Sequence, residues 1–241
     1  MFRSGGPTLR ELTAEALSST ERGYDLLAPK FDVTPFRTPD AVLDAVSTHL
    51  APAAPYASGL DICCGTGAGM RMLHGVCRER VVGVDFSRGM LDVGRRNLGH
   101  LCGGPSLEWV RGDALTLPLA RSFDIAVCFG ALGHIPRADE DRFLGQVAGV
   151  LRPGGRFVIV TSTMPAPWSP RRWIARGFNG AMHLRNALVS PPFVMYYLTF
   201  LLPGITGRLE RLGFRVDARR LADSGPPSRL WVVNAVLGQK Y

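Results

Sequence analysis

The sequence predicts an α/β protein built on a doubly wound, mostly parallel seven-stranded sheet with an antiparallel C-terminal hairpin strand. Three observations carry this. Five short runs, apolar on both faces, alternate with amphipathic helical stretches, as in a sheet covered by helices on both sides. A glycine cluster follows directly on the first run, in "GLDICCGTGAGM", residues 59 to 70. The last two runs are separated only by "DSGPPS", too short for a crossover helix, so they are expected to pair antiparallel.

In chain order, residues 8 to 28 read as one helix, with Leu9, Leu12, Ala16, Leu17, Leu26 and Leu27 at approximate helical spacing. The proline-punctuated loop "APKFDVTPFRTPD" follows. Thr38-Pro39-Asp40 predicts a helix start, with a hydroxyl cap and proline in the first turn, opening a helix that runs to Pro52. Then come the strand "SGLDICC", a helix near 68 to 77, the strand "RVVGVDFS", the helix "RGMLDVGRRNLG" and the short strand "LEWVRGDA". A fourth strand, "FDIAVCFGAL", precedes the helix "RADEDRFLGQVAGVL", whose Phe143, Leu144, Val147, Val150 and Leu151 share one face. The fifth is "GGRFVIVTST"; the tail is the helix and strand "ITGRLERLGFRVDARRLA" and the strand "SRLWVVNAVLG". The chain divides as one domain of 241 residues: an N-terminal helical cap (1–52), a binding core (53–163), a helical lid insertion (164–203), and a C-terminal helix with β-hairpin (204–241).

Composition narrows the class. The N-terminus lacks the apolar stretch of a secretory leader, and the longest apolar run, "FVMYYLTFLL", is too short to span a bilayer, so a cytoplasmic location is expected. The five cysteines (63, 64, 77, 102 and 128) form no CxxC pair and are read as reduced, mostly buried small hydrophobes. No metal is expected: the acids of "RADEDR" open a helix, where they complement its dipole. Net charge is +8, and only Lys30 and Lys240 are lysines. Between Asp141 and Glu210 there is no acid, while Arg142, Arg152, Arg156, Arg171, Arg172, Arg176, Arg185 and Arg208 concentrate positive field in the C-terminal half.

A glycine loop after the first strand of such a fold turns backbone N–H groups and a helix N-terminus toward a ligand, and a carboxylate ending the second strand, here Asp85, accepts ribose hydroxyls. The spacing is not that of a dinucleotide fingerprint, because Met70 stands where G-x-G-x-x-G requires its third glycine. The pattern is instead Asp61-x-x-x-Gly65-x-Gly67-x-Gly69.

With "LDICCGTGAG", "VVGVDFSRGML", "RGDALTLPLARSFDIAVCFGALGHI" and "LRPGGRF" in register between about residues 24 and 160, the sequence resembles the class I S-adenosylmethionine-dependent methyltransferase family. The resemblance implies the Rossmann-like methyltransferase fold, with its antiparallel seventh strand, and S-adenosyl-L-methionine as cofactor. It also implies roles. Gly65, Gly67 and Gly69 let the backbone pass beneath the methionine moiety and Asp61 fixes its amino group. Asp85 binds the ribose, Phe86 and Met90 sandwich adenine, and Asp113 with the Ala114 backbone reads its amino edge. Phe129 and Gly130 lie where the methyl group points. Each has a structural alternative: a tight turn for the glycines, helix caps for the aspartates, core packing for Phe86 and Met90.

For the acceptor, His134, just past strand four, is the candidate catalytic base; otherwise it shapes its loop. The stretch "FGALGHIP" replaces the Asn/Asp-Pro-Pro-aromatic sequence of many relatives that methylate planar nitrogens, which favours O- or C-methylation of a small molecule. Tyr24, Asp25, Phe31 and Asp32 echo a "YD…A…YD" stretch of the family, and Tyr24 would meet the sulfonium with its ring face, or else be core. Trp168, Trp173 and Tyr196, in an insertion with four arginines and no acid, are expected to line an apolar acceptor pocket rimmed by positive charge. The stretch "YYLTFLLPGITGRLERLGF" is similar to quinone-biosynthesis C-methyltransferases. The partner is then a small, apolar or anionic acceptor, and peripheral membrane contact through 164–203 is a related expectation. The competing readings are an RNA or other nucleic-acid methyltransferase or binding protein using the basic half, and a silent cofactor-binding protein.

Overall fold

The computed structural model describes residues 6–221 and 230–238; the loop "DSGPPS" lies outside them. β1 (Tyr56–Ile62), β2 (Cys77–Asp85), β3 (Ser106–Arg111), β4 (Phe123–Cys128), β5 (Leu151–Ser162), β6 (Phe214–Arg220) and β7 (Leu230–Leu237) form one sheet in the order β3-β2-β1-β4-β5-β7-β6. The first five strands pair parallel, and β7 runs antiparallel to both of its neighbours. The hairpin of β6 and β7 thus inserts its second strand against β5, leaving β7 as the single reversed strand.

The apolar runs bury both faces of the sheet. Against one pack α3 (Asp40–Leu50), α4 (Ala68–His74) and α5 (Arg88–Leu98), around Val46, Met70, Leu73, Ile125 and Val127. Against the other pack α6 (Glu140–Val150) and α8 (Gly204–Arg211), around Leu60, Ile62, Phe143, Phe157 and Leu209. The chain steps outward from β1 to β2 and β3, then returns to place β4 on the other side of β1. This reversal opens a crevice at the C-terminal ends of β1 and β4.

Two local expectations change. The single helix over residues 8 to 28 is two, α1 (Leu9–Ala16) and α2 (Thr20–Leu27). Thr8 and Glu11 form a capping box at the start of the first, and the Ser19 hydroxyl accepts the Arg22 N–H at the start of the second. Thr38 caps nothing: Pro39 occupies the N-cap of α3, and no side chain bonds the first turn. The insertion, expected as a helical lid, carries α7 (Pro170–Leu188), none of whose residues is buried. A strap over 191–202 then returns to the sheet, where Thr161 Oγ1 donates to the Phe200 carbonyl at 2.7 Å. All five cysteines are free thiols, and Cys102 is exposed.

Candidate functional site

The site grows from the end of β1. Beyond Ile62 the backbone turns through left-handed φ values at Cys63 (58°), Gly65 (52°) and Gly67 (89°), and Gly67 is the N-cap of α4. Glycine is needed at 65 and 67 because a side chain is strained in this conformation. At Gly69 the need is room: an added Cβ would lie 2.5 Å from Asp61 Oδ2. The loop is a thin sheet of main chain pressed onto a carboxylate.

That carboxylate is the unusual group. Asp61 is buried, and its Oδ2 finds no hydrogen-bond partner among the described residues. Burial first, and the neighbouring Asp85 second, push its pKa well above the ordinary range. Asp85, at the end of β2, accepts the Gly65 N–H at 2.8 Å and the Ser87 N–H at 2.9 Å. Burial lifts its pKa to about 6 against those bonds. An unpaired buried oxygen costs free energy, and a positively charged donor from a ligand would relieve both acids. The site therefore fits a ligand with an amino group over Asp61 and hydroxyls over Asp85.

The N-terminal cap closes the crevice from above. Asp25 accepts the Ser87 hydroxyl at 2.6 Å and the Gly89 N–H at 2.8 Å, tying α2 to the start of α5. Asp32 accepts the Thr66 hydroxyl at 2.6 Å, tying the cap to the glycine loop. Beneath this roof lies a concave cleft, part of it open to solvent. Asp61, Gly65, Gly69, Asp85, Phe86, Met90, Phe129, Gly130, Tyr24 and His134 all line it. Gly67 acts from behind, where a Cβ would meet Trp109 at 2.8 Å.

Across the cleft, the Tyr24 hydroxyl lies 2.6 Å from His134 Nε2, while His134 Nδ1 lies 2.6 Å from the Val194 carbonyl in the strap. A carbonyl only accepts, so Nδ1 carries the hydrogen and Nε2 accepts the Tyr24 O–H. Burial lowers the His134 pKa and raises that of Tyr24, so both are neutral near pH 7.

The remaining candidates lie elsewhere. Asp113 is exposed, its Oδ1 accepts the Leu115 N–H at 2.9 Å, and neither it nor Ala114 lines the cleft. Trp168 and Trp173 are strongly exposed, and Tyr196 stacks on His183, so none of the three lines this cleft. In their place Phe31, Phe36, Arg37 and Thr38 supply the wall. The proline-rich composition of 28–40 marks that stretch as loop, but no residue pattern in it announces a ligand wall.

A family model described as a methyltransferase domain matches residues 60–155. An O-methyltransferase, cnsE of Penicillium expansum, is 31% identical over 164 residues, covering 66% of this chain and 59% of that protein. Over the matched residues the chain is thus similar to class I S-adenosylmethionine-dependent methyltransferases. A 2-phytyl-1,4-naphtoquinone methyltransferase of Thermosynechococcus vestitus is 34% identical over 130 residues, 49% of this chain and 55% of the relative. The chain thus spans less than two thirds of the length of these relatives. An O-methyltransferase family protein from Burkholderia thailandensis shares the fold, with a TM-score of 0.69 at 18% identity over 96% of this chain and 67% of the other.

Proposed function

We propose that this protein binds S-adenosylmethionine in the cleft above the glycine loop and methylates an oxygen or carbon of a small, apolar or anionic acceptor. The observation that carries this reading is the buried, partnerless Oδ2 of Asp61 beneath Gly69, an acceptor built for an amino group. When bound, the cofactor supplies a methyl group already activated on a cationic sulfur, so no covalent enzyme intermediate is required.

The chain's own residues do the rest. Asp61 takes the amino group, and Arg37, a guanidinium in the cleft lining that also pairs with Asp40 at 2.9 Å, is the candidate for the carboxylate. Asp85 takes the ribose hydroxyls with lone pairs not used by Gly65 and Ser87. Phe86 and Met90 hold the base by apolar contact. Phe31, Phe36 and Phe129 make the acceptor side apolar and exclude water, favouring a flat, lipophilic acceptor held in line with the methyl. The named activities of the two curated relatives agree with this class of molecule.

Where the acceptor carries a hydroxyl, His134 would serve as base through Tyr24, whose hydroxyl lies 2.6 Å from its Nε2. Its Nε2 is occupied by Tyr24, so the proton passes in two moves. Tyr24 Oη accepts the acceptor's proton while its own moves to His134 Nε2, giving an imidazolium held by the Val194 carbonyl. Such general-base help is worth roughly 10²–10⁴-fold.

The test is a labelled-methyl assay over hydroxylated aromatic and quinol acceptors, with cofactor affinity measured in parallel by calorimetry. Asp85→Ala is expected to weaken S-adenosylmethionine binding by more than about ten-fold, roughly the loss of one charge-assisted hydrogen bond. His134→Ala should leave that affinity intact and slow transfer by roughly 10²-fold or more. Unchanged affinity in Asp85→Ala contradicts the ribose assignment.

A further inference from the structure

The helix α7, "PRRWIARGFNGAMHLRNAL", wears its apolar face outward. At about 100° per residue, Trp173, Ile174, Gly177, Ala181, Leu184 and Leu188 fall on one arc of roughly 100°. That arc is bare: Trp173 is 61% exposed, Ile174 71%, Leu184 62% and Leu188 75%, and Trp168, just ahead of the helix, is 84% exposed. The opposite face is already satisfied by this chain. Asn179 exchanges two hydrogen bonds of 2.8 Å with the backbone of Tyr197, and Asn186 exchanges two of 3.0 Å with that of Phe193. The helix is therefore held in its orientation by its inner side, and its outer side is not displaced core. A contiguous exposed apolar face of this size marks an interaction surface.

Its charge selects the partner. Arg171, Arg172 and Arg176 crowd the first two turns, the Arg176 guanidinium lies 5.5 Å from the Trp173 ring centre, and no acid occurs between Asp141 and Glu210. A second copy meeting this face across a twofold axis would set arginine against arginine with no carboxylate from the segment to pair them. A bilayer rich in anionic headgroups offers both complements, acyl chains for the leucines and phosphates for the arginines, with tryptophan at the boundary. No helix among the described residues is long and apolar enough to cross a membrane, so the helix lies along the surface. We propose that α7 and Trp168 dock this protein on an anionic lipid surface. The proposal stands apart from the cofactor reading, since neither its residues nor its test involves the cleft.

The experiment is flotation of the full chain with vesicles of mixed phosphatidylglycerol and phosphatidylcholine, against vesicles of phosphatidylcholine alone. The expected result is flotation with the anionic vesicles only, reduced by salt. The triple variant Ile174→Ser, Leu184→Ser, Leu188→Ser is expected to lose about ten-fold or more in partitioning, with an unchanged melting temperature because none of the three is buried. Brominated lipid should quench the fluorescence of the unmodified protein, and less so in Trp168→Phe with Trp173→Phe. Failure of the unmodified protein to float, or a dimer that the triple variant dissolves without any vesicle binding, overturns the proposal.

Discussion

Gly69 and Asp61 show how little of a site needs side chains. The carboxylate is buried at the end of β1 and lines the cleft, and the glycine's missing methyl leaves room for its Oδ2. Gly69→Ala would place a carbon 2.5 Å from that oxygen, against the buried Asp61 carboxylate in the first turn of α4. Overpacking of this kind costs about 1–3 kcal/mol. The expected outcome is a lower midpoint in denaturant and a clear loss of S-adenosylmethionine affinity, both read by titration. Such positions were legible in the sequence, because a left-handed turn or a close approach constrains residue type directly, and Gly65, Gly67 and Asp85 were visible for the same reason. Arg37 and Thr38 were not. Their place in the cleft depends on how the cap folds back, and the hydroxyl of Thr38, which resembled a helix cap, lies against Gly130 instead, 3.0 Å from where its Cβ would stand.

At the scale of elements, the strands could be read because burial on both faces leaves unbroken apolar runs, and the hairpin because its loop is short. The division of the first helix was hidden: the apolar spacing continues across it, while the Ser19 cap that starts α2 is a single hydroxyl. The insertion was read as a helical lid carrying aromatic residues, but composition does not say which side of a helix faces the protein, so the tryptophans were expected inward. The pairing of α1 with α2 carries a testable group. Glu15 is buried, with no compensating charge, and burial lifts its pKa from 4.5 to about 7. A carboxyl raised on folding favours the folded state while protonated, and that contribution is lost as pH rises through the folded value. Glu15→Gln should therefore match the unmodified protein in stability below about pH 4, under the unfolded value of 4.5, and exceed it at pH 8. Equal pH slopes in denaturant titrations of the two proteins would refute this.

Over the whole molecule, the charges divide the labour. Acids gather beneath the cleft, in Asp61 and Asp85, while arginines dominate the segment from 142 to 209. Burial raises the pKa of both acids, that of Asp85 to about 6. A ligand bearing an ammonium and a sulfonium favours their charged forms, so binding must expel protons, and by linkage affinity must rise with pH. Calorimetric titration with S-adenosylmethionine between pH 5 and 7.5, in buffers of different ionisation enthalpy, tests this coupling directly. The structure predicts affinity that tightens through about pH 6, the Asp85 value, with protons released to the buffer. No binding, or binding with neither proton release nor pH dependence, would show that the carboxylates under the glycine loop do not receive the cofactor.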